Sequence, residues 1–390
     1  MNYSDFFMMI PEASLVAILI VLFVADFATA KAEERKWFNP LASILLLLNT
    51  FVCLYPMGTQ SLFGGMYETT PAVDVMKAIL SMGTFIVVVQ SRTWAAKTGK
   101  EAEFYMLIVS TLLGMFAMMS AGNFVMFFLG LEMASVPLAC AVAFDMYRKN
   151  SAEAAAKFIL TATFSSGVML YGISFLYGQF GTLYFEDIAV KMQATPLTVI
   201  GLVFFFSGLG FKISLVPFHF WTADTYQGAP TTVTGYLSVI SKGAAAFTLL
   251  SILFHVFGGM MEYWHVLLMI VVVLSITIAN LFAVRQNELK RFMAFSSISQ
   301  AGYIMLAAIG NNWANSVAAL SYYVLIYVVA NMAVFTIISV VEQNNGGKTD
   351  ISDYNGFYQT NPRLSFLMTL AMFSLGGIPP FAGMFSKFFI

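Results

Sequence analysis

Charge is what this sequence has least of. Its 390 residues include 19 Lys and Arg and 20 Asp and Glu, 10% of the chain, against 59% hydrophobic residues. Soluble domains run at about 25% charged and 45–50% apolar, so a water-soluble globular fold is excluded. Cysteine is almost absent. Cys53 and Cys140 lie far apart inside apolar runs, provide no CxxC pair, haem attachment pattern or disulfide framework, and read as small packing residues. The three histidines, His219, His255 and His265, are scattered and leave no local metal-ligand spacing. A formal net charge of −1 offers no basic surface for nucleic acid. The start, Met-Asn-Tyr-Ser-Asp, has no basic n-region, and Glu12 interrupts the first apolar run. A cleaved signal peptide is therefore not expected, and the first span stays. Nucleotide, haem, iron–sulfur and flavin signatures are missing from the sequence as well.

What is there instead is apolar length. A bilayer core takes about 20 apolar residues per helix, and twelve candidate spans cover most of the chain. They lie near 8–29, 39–56, 72–91, 104–120, 122–144, 153–178, 196–218, 231–256, 262–284, 291–309, 313–341 and 363–390. These runs are too long and continuous for strands, so the fold class is an all-α polytopic membrane protein. Between spans, 57–71 and 179–195 contain turn glycines and aromatics and are expected to form small surface hairpins. The loops after odd-numbered spans hold Lys31, Arg35, Lys36, Arg92, Lys97, Lys100, Arg148, Lys149, Arg285, Lys290, Arg291, Lys348 and Arg363, whereas the other side holds only Lys191. Such a bias puts the basic side in the cytoplasm and the N-terminus on the non-cytoplasmic side.

The informative residues are charges inside the spans: Asp26, Asp74, Lys77, Glu132, Lys157, Lys212, Lys242 and Lys387. A charge at mid-bilayer costs about 2.5–3.5 kcal/mol on insertion scales, so each needs a partner, water or a function. Asp26 reads as an anchor near a membrane face. Asp74 and Lys77 stand i and i+3 on one helix face and are expected to pair locally. Lys157, close to the start of its span, reads as a snorkelling anchor as readily as a functional group. Glu132 and Lys242 sit near the middle of the fifth and eighth spans, roughly 15 Å deep at 1.5 Å per residue.

Breaks coincide with the lysines. Pro217 frees backbone carbonyls about one turn back, next to Lys212, and Gly376, Gly377, Pro379 and Pro380 do so ahead of Lys387. Interrupted helices bearing charge point to a midplane ion pathway. If spans four to eight form one unit and nine to thirteen another, the seventh and twelfth correspond, and five helices per unit makes successive units inverted. The domains expected are a three-helix segment over 1–100, a first five-helix repeat over 101–260, and a second repeat over 261–390. That second repeat is incomplete, because no thirteenth span is present.

The run Gly208-Leu-Gly-Phe-Lys212-Ile-Ser-Leu-Val-Pro217-Phe-His219-Phe-Trp221-Thr-Ala-Asp224-Thr-Tyr226-Gln-Gly228-Ala-Pro230 resembles the antiporter-like membrane subunits of respiratory complex I, the subunit N group in particular. Leu129-Gly-Leu-Glu132-Met-Ala-Ser-Val-Pro137, Asn287-Glu-Leu-Lys290-Arg291 with Ser296-Ser-Ile-Ser299, and Ser374-Leu-Gly-Gly-Ile-Pro379 support it. The resemblance runs from about residue 100 to the end and also suits the first three spans.

It implies an antiporter-like fold of fourteen helices with inverted repeats and a proton-translocating role in a bacterial inner membrane. By position, Glu132 and Lys212 match a carboxylate and a lysine that pair, Lys242 the central lysine, and Lys387 the broken-helix lysine facing the exit side. Lys157 matches a sixth-helix lysine. His219 and Asp224 after the Pro217 break form either a proton mouth or a solvated loop. Two features depart from the family. Gln300 stands where relatives often carry a histidine, which argues against a histidine relay in the tenth span. The chain also stops at Ile390, short of the last two helices, as a truncated subunit would.

The resemblance further implies no cofactor in this chain. NADH, FMN, iron–sulfur clusters and quinone are expected in partner subunits. Expected partners are other membrane and peripheral subunits of complex I, neighbouring antiporter-like subunits among them. Moving or neutralising Glu132 would switch Lys212 between holding and releasing a proton, which would pass to Lys242 and then Lys387. The competing readings are a subunit of a multi-subunit cation/proton antiporter and a purely structural membrane scaffold.

Overall fold

Without water to serve the backbone, every N–H and C=O in a spanning segment has to be satisfied within the protein, and the apolar runs accordingly become helices. The computed structural model describes residues 5–6, 8–29, 37–55, 58–146 and 148–390. The order is α1 (Ile10–Ala28), α2 (Phe38–Cys53), β1 (Gln60–Leu62), β2 (Tyr67–Thr69), α3 (Pro71–Thr98), α4 (Glu101–Met119), α5 (Phe124–Val142) and α6 (Lys149–Phe180). There follow α7 (Phe185–Lys191), α8 (Pro196–Ile213), α9 (Phe220–Gly228), α10 (Thr231–Tyr236), a π-helical turn (Leu237–Ser241) and α11 (Lys242–His255). The last helices are α12 (Met261–Ala283), α13 (Leu289–Leu306), α14 (Trp313–Asn344), α15 (Phe357–Thr360), α16 (Pro362–Gly376) and α17 (Ala382–Phe388).

Prolines and small polar residues set the helix starts. Thr70, Thr195 and Asn361 each accept a backbone N–H with their side chain, directly ahead of Pro71, Pro196 and Pro362. Each of the twelve apolar runs carries helix. Ten helices among the described residues are long and apolar enough to cross a membrane. The other two expected spans are the 16-residue α2 and the interrupted pair α16–α17.

Two local expectations meet different fates. Residues 60–69 form the antiparallel hairpin β1–β2. Segment 179–195 is no hairpin: it holds α7, whose Ile188 is buried among the bundle helices while Glu186 and Asp187 favour its N-terminal end. The residues named for the basic side also divide. Lys31, Arg35 and Lys36 lie outside the described residues. Lys290 is buried rather than looped out, in the first turn of α13, and donates to the Ala229 carbonyl at 2.7 Å.

Small residues let the helices approach. A Cβ added at Gly114 of α4 would lie 2.4 Å from the Ala134 nitrogen, and one at Gly130 of α5 would lie 2.4 Å from that of Met118. Only glycine fits either place, and the α4–α5 seam closes backbone to backbone. Exposed Val266, Ile270, Val273 and Leu281 give α12 an apolar outer face suited to lipid. The segment Thr231–His255 is the opposite case, with 89% of its apolar window buried, and it forms the axis around which the other helices pack.

Candidate functional site

The seventh span breaks where the sequence places Pro217. Helix α8 stops at Ile213 because Ser214 adopts a left-handed conformation, φ 67°, and α9 starts only at Phe220. The break leaves backbone groups at membrane depth that need partners. Trp221 donates its indole N–H to the Phe211 carbonyl at 3.1 Å, and the Val216 N–H donates to Ser275 Oγ at 2.9 Å. Lys212, in the last turn of α8, is 4% exposed, and its Nζ donates to Ser135 Oγ of α5 at 2.8 Å.

Ser135, rather than Glu132, is the direct partner of that ammonium. Glu132 lies three residues earlier on the same helix, half-buried, in no salt bridge among the described residues. The pairing implied by the resemblance is therefore not a direct contact: serine holds the ammonium, and no salt bridge among the described residues joins Lys212 to Glu132.

Lys242 opens α11 directly after the π-helical turn, a distortion that is frequent at functional sites. It is 1% exposed and belongs to no salt bridge among the described residues. Its Nζ donates to Ser297 Oγ of α13 at 2.7 Å and lies 5.4 Å from the Tyr226 ring centroid, a cation–π distance. Ser297 also meets the Tyr226 hydroxyl at 3.3 Å. The Tyr327 hydroxyl faces Ser238 Oγ at 3.2 Å, and Ser297 Oγ donates to the Ser238 carbonyl at 3.4 Å. Asn331 donates to Ser238 Oγ at 2.6 Å.

The twelfth span breaks after Gly376. Gly377, at φ 79°, sits in the left-handed region that glycine enters freely, and α17 begins at Ala382. Pro379 lies in the gap. Lys387 of α17 reaches back across the break, its Nζ donating to the freed carbonyls of Leu375 at 3.0 Å and Gly376 at 3.2 Å. It also lies 4.5 Å from the Tyr303 ring centroid. Gln300 donates its amide N–H to the same Leu375 carbonyl at 3.0 Å, and the Tyr323 hydroxyl donates to the Gln300 amide oxygen.

Three further residues of the sequence reading stand at the rim. Lys157 is exposed and pairs with Glu153 and Asp224, each at 2.7 Å. Asp224 of α9 also holds Arg291 of α13 at 2.7 Å. Hydrogen bonding from Lys157, reinforced by Arg291, keeps the Asp224 carboxyl below the ordinary carboxylate range despite partial burial. His219 is 8% exposed, with no hydrogen-bond partner for its Nδ1 among the described residues. It lines a cavity of about 470 Å³ together with Pro217, Phe220, Asp224, Arg291 and Phe295.

The local Asp74–Lys77 pair is a correction. Lys77 is fully buried and its Nζ meets Glu12 Oε1 of α1 at 2.7 Å, while Asp74 accepts from Thr69 at 2.8 Å. The Tyr67 hydroxyl joins the buried pair, donating to Glu12 Oε2 at 3.0 Å and accepting from Lys77 at 3.2 Å. Tertiary packing brings a carboxylate from a separate helix closer than the neighbour three residues away. The neutral groups Ser135, Ser297, Tyr226, Tyr323, Tyr327 and Asn331 were also missed, since hydroxyls and amides within an apolar run carry no charge signal.

A family profile described as NADH:quinone oxidoreductase/Mrp antiporter, TM, matches residues 121–390. The chain is 59% identical over 382 residues to the NADH-quinone oxidoreductase subunit N of Phocaeicola vulgatus, covering 97% of this chain and 80% of that protein. It is 34% identical over 397 residues to the subunit N of Neisseria gonorrhoeae, covering 100% and 82%. Among solved structures, a chain of respiratory complex I from Thermus thermophilus superposes with a TM-score of 0.81 at 28% identity, covering 97% of this chain and 81% of that one. A chain of the Mrp complex from Dietzia, at 19% identity, has the same fold, with a TM-score of 0.81 and coverage of 100% and 74%.

Proposed function

The chain belongs to the NADH:quinone oxidoreductase/Mrp antiporter transmembrane family, and to the NADH-quinone oxidoreductase subunit N group within it. From that premise we propose that it carries protons across a bacterial inner membrane as a subunit of a respiratory NADH:quinone oxidoreductase. The observation that carries this reading is the pair of buried ammonium groups at Lys212 and Lys242, each resting on a serine hydroxyl rather than on a carboxylate. A purely structural lysine would be neutralised by a contacting acid, as Lys77 is by Glu12. Groups held only by neutral acceptors are free to give up and regain a proton.

In this mechanism a proton enters through the cavity between Asp224, Arg291 and His219, on the side where the basic loops gather. Lys157 shapes the rim through Asp224. Lys212 holds the proton while Glu132 is charged, a contact pair at 4 Å being worth about 4 kcal/mol at an effective dielectric near 20. The longer separation found here weakens that hold and makes it adjustable by movement of α5. Release passes the proton to Lys242 and from there to Lys387 at the broken α16–α17 pair.

Each charge moved against 100 mV costs about 2.3 kcal/mol, so an energy source is required. It lies in partner subunits, where NADH, FMN, iron–sulfur clusters and quinone are expected. Neighbouring antiporter-like subunits complete the membrane assembly, with the N-terminus of this chain on the non-cytoplasmic side. The test is Lys212→Ala and Glu132→Ala in the full-length subunit of the assembled complex. Each substitution abolishes NADH-driven proton uptake into proteoliposomes while the complex still assembles. Pumping that survives both removes the mechanism.

A further inference from the structure

Between Lys242 and Lys387 the structure holds neutral groups, and their order is informative. From Lys242 a file of hydroxyl-bearing residues runs through Ser297, Ser238 and Tyr327: Ser297 accepts from the lysine at 2.7 Å and donates to the Ser238 carbonyl at 3.4 Å, Ser238 Oγ faces the Tyr327 hydroxyl at 3.2 Å, and the Tyr327 ring centroid lies 6.5 Å from that of Tyr323. Hydroxyls both donate and accept, so such a file passes protons on. Beyond Tyr323 the chemistry changes. The Tyr323 hydroxyl spends its proton on the Gln300 amide oxygen, and the Gln300 amide N–H occupies the Leu375 carbonyl on which Lys387 also rests. A neutral amide neither gains nor loses a proton near neutral pH, so the file ends there. Gln300, Tyr323 and Tyr327 are 6%, 2% and 4% exposed, so this stretch of the file is closed to bulk water.

A second observation lies at the same place. A cavity of about 10 Å³ is lined by Gln300, Tyr323, Tyr327, Ser374, Ser386 and Lys387, among others. That is close to the smallest volume, about 10–15 Å³, that takes one water molecule. Its walls supply hydroxyl, amide and ammonium groups, enough for the two to four hydrogen bonds such a water needs.

We propose that Gln300 is a positioning residue that insulates Lys387 from the hydroxyl file, and that its release from Leu375 admits one bridging water through which Tyr323 passes a proton to Lys387. The transfer balances. Lys387 enters the step as a neutral amine and accepts a proton from the water. The water takes one from the Tyr323 hydroxyl, and Tyr323 is refilled along Tyr327, Ser238 and Ser297 from the Lys242 ammonium, which becomes neutral. The amide of Gln300 changes partners but not protonation. This inference rests on the proton-translocating reading above and specifies how the last transfer is controlled.

The experiment uses the assembled complex carrying the full-length subunit, reconstituted in proteoliposomes loaded with a pH-sensitive dye. Gln300→Ala removes the insulator and widens the water site. It raises passive proton back-flow several-fold without NADH and lowers the protons pumped per NADH. Adding Tyr323→Phe to Gln300→Ala interrupts the file and returns the back-flow to the parental level, whereas a leak caused by loosened packing persists in the double variant. Gln300→Asn, an amide too short to reach both partners, serves where the alanine variant fails to assemble, and it leaks as well. Parental tightness in Gln300→Ala or Gln300→Asn, or a leak that Tyr323→Phe does not close, overturns the proposal. Lys212→Ala in the same vesicles separates the two levels. If it abolishes pumping while the Gln300 variants stay tight, the insulator alone is wrong; if pumping continues, the relay is wrong.

Discussion

A lysine in the hydrocarbon layer has few ways to keep its proton, and the three central lysines use different ones. Lys212 rests on the Ser135 hydroxyl, Lys242 on Ser297 and the face of Tyr226, and Lys387 on two backbone carbonyls released by a helix break. Hydrogen bonds to charged groups contribute about 1.5–3 kcal/mol. Ser135→Ala deletes the acceptor and, with it, only the added bond from Ser135 Oγ to the Leu131 carbonyl at 2.6 Å, while alanine, the best helix former, keeps the α5 backbone helical. We expect NADH-driven proton uptake to fall about tenfold or more in that variant, the rate equivalent of at least about 1.4 kcal/mol, with normal amounts of assembled complex. Unaltered pumping would make Ser135 a packing residue only. The lysines were legible in the sequence because a charge in lipid is costly and stands out. Their partners were not, because a hydroxyl in a helix satisfies itself on the preceding turn and passes for filler.

At the scale of elements, the two broken helices do the positioning. Pro217 and the Gly376–Pro380 run marked both breaks, but the means by which they are closed could not be read from the run itself. Trp221 and Ser275 take up the backbone groups of the first, and Lys387 and Gln300 those of the second. Asp224 fastens the short helix α9 to α6 through Lys157 and to α13 through Arg291. Its carboxyl is held below the usual range, so its contribution is complete above the ordinary carboxylate value and is lost as pH falls through the depressed folded one. Asp224→Asn should lower the thermal midpoint of the purified complex at neutral pH. That difference from the parent should shrink as the pH is taken below about 4, the ordinary range for a free Asp. A gap that is the same at every pH would show that the carboxylate charge plays no part.

Across the whole molecule, the N-terminal helices are tied to the rest by charge as well as by apolar packing. Glu12 of α1, Lys77 of α3 and Tyr67 of the hairpin meet in one buried cluster, with Ser120 of the α4 terminus at 3.5 Å from Glu12. Removing one member of a buried pair costs about 3–5 kcal/mol, while replacing both with apolar residues of similar size is often neutral. Glu12→Ala should therefore destabilise the subunit strongly in thermal melts, and Glu12→Leu with Lys77→Met should recover most of the loss. A double variant as unstable as the single one would mean that the charges themselves are needed. The sequence by itself determined that this is a membrane protein, where its spans run, where two of them break and which charges are too deep to be accidental. Each follows from the cost of exposing apolar surface to water or charge to lipid, a cost that depends on residue type and spacing along the chain. Only the tertiary structure decided which groups meet: Glu12 with Lys77 rather than Asp74, serine rather than glutamate at Lys212, Gln300 between Tyr323 and the broken helix. Hydrogen bonds act over about 3 Å, and bringing groups that close from distant parts of the chain is the work of helix packing, which spacing within one segment does not encode.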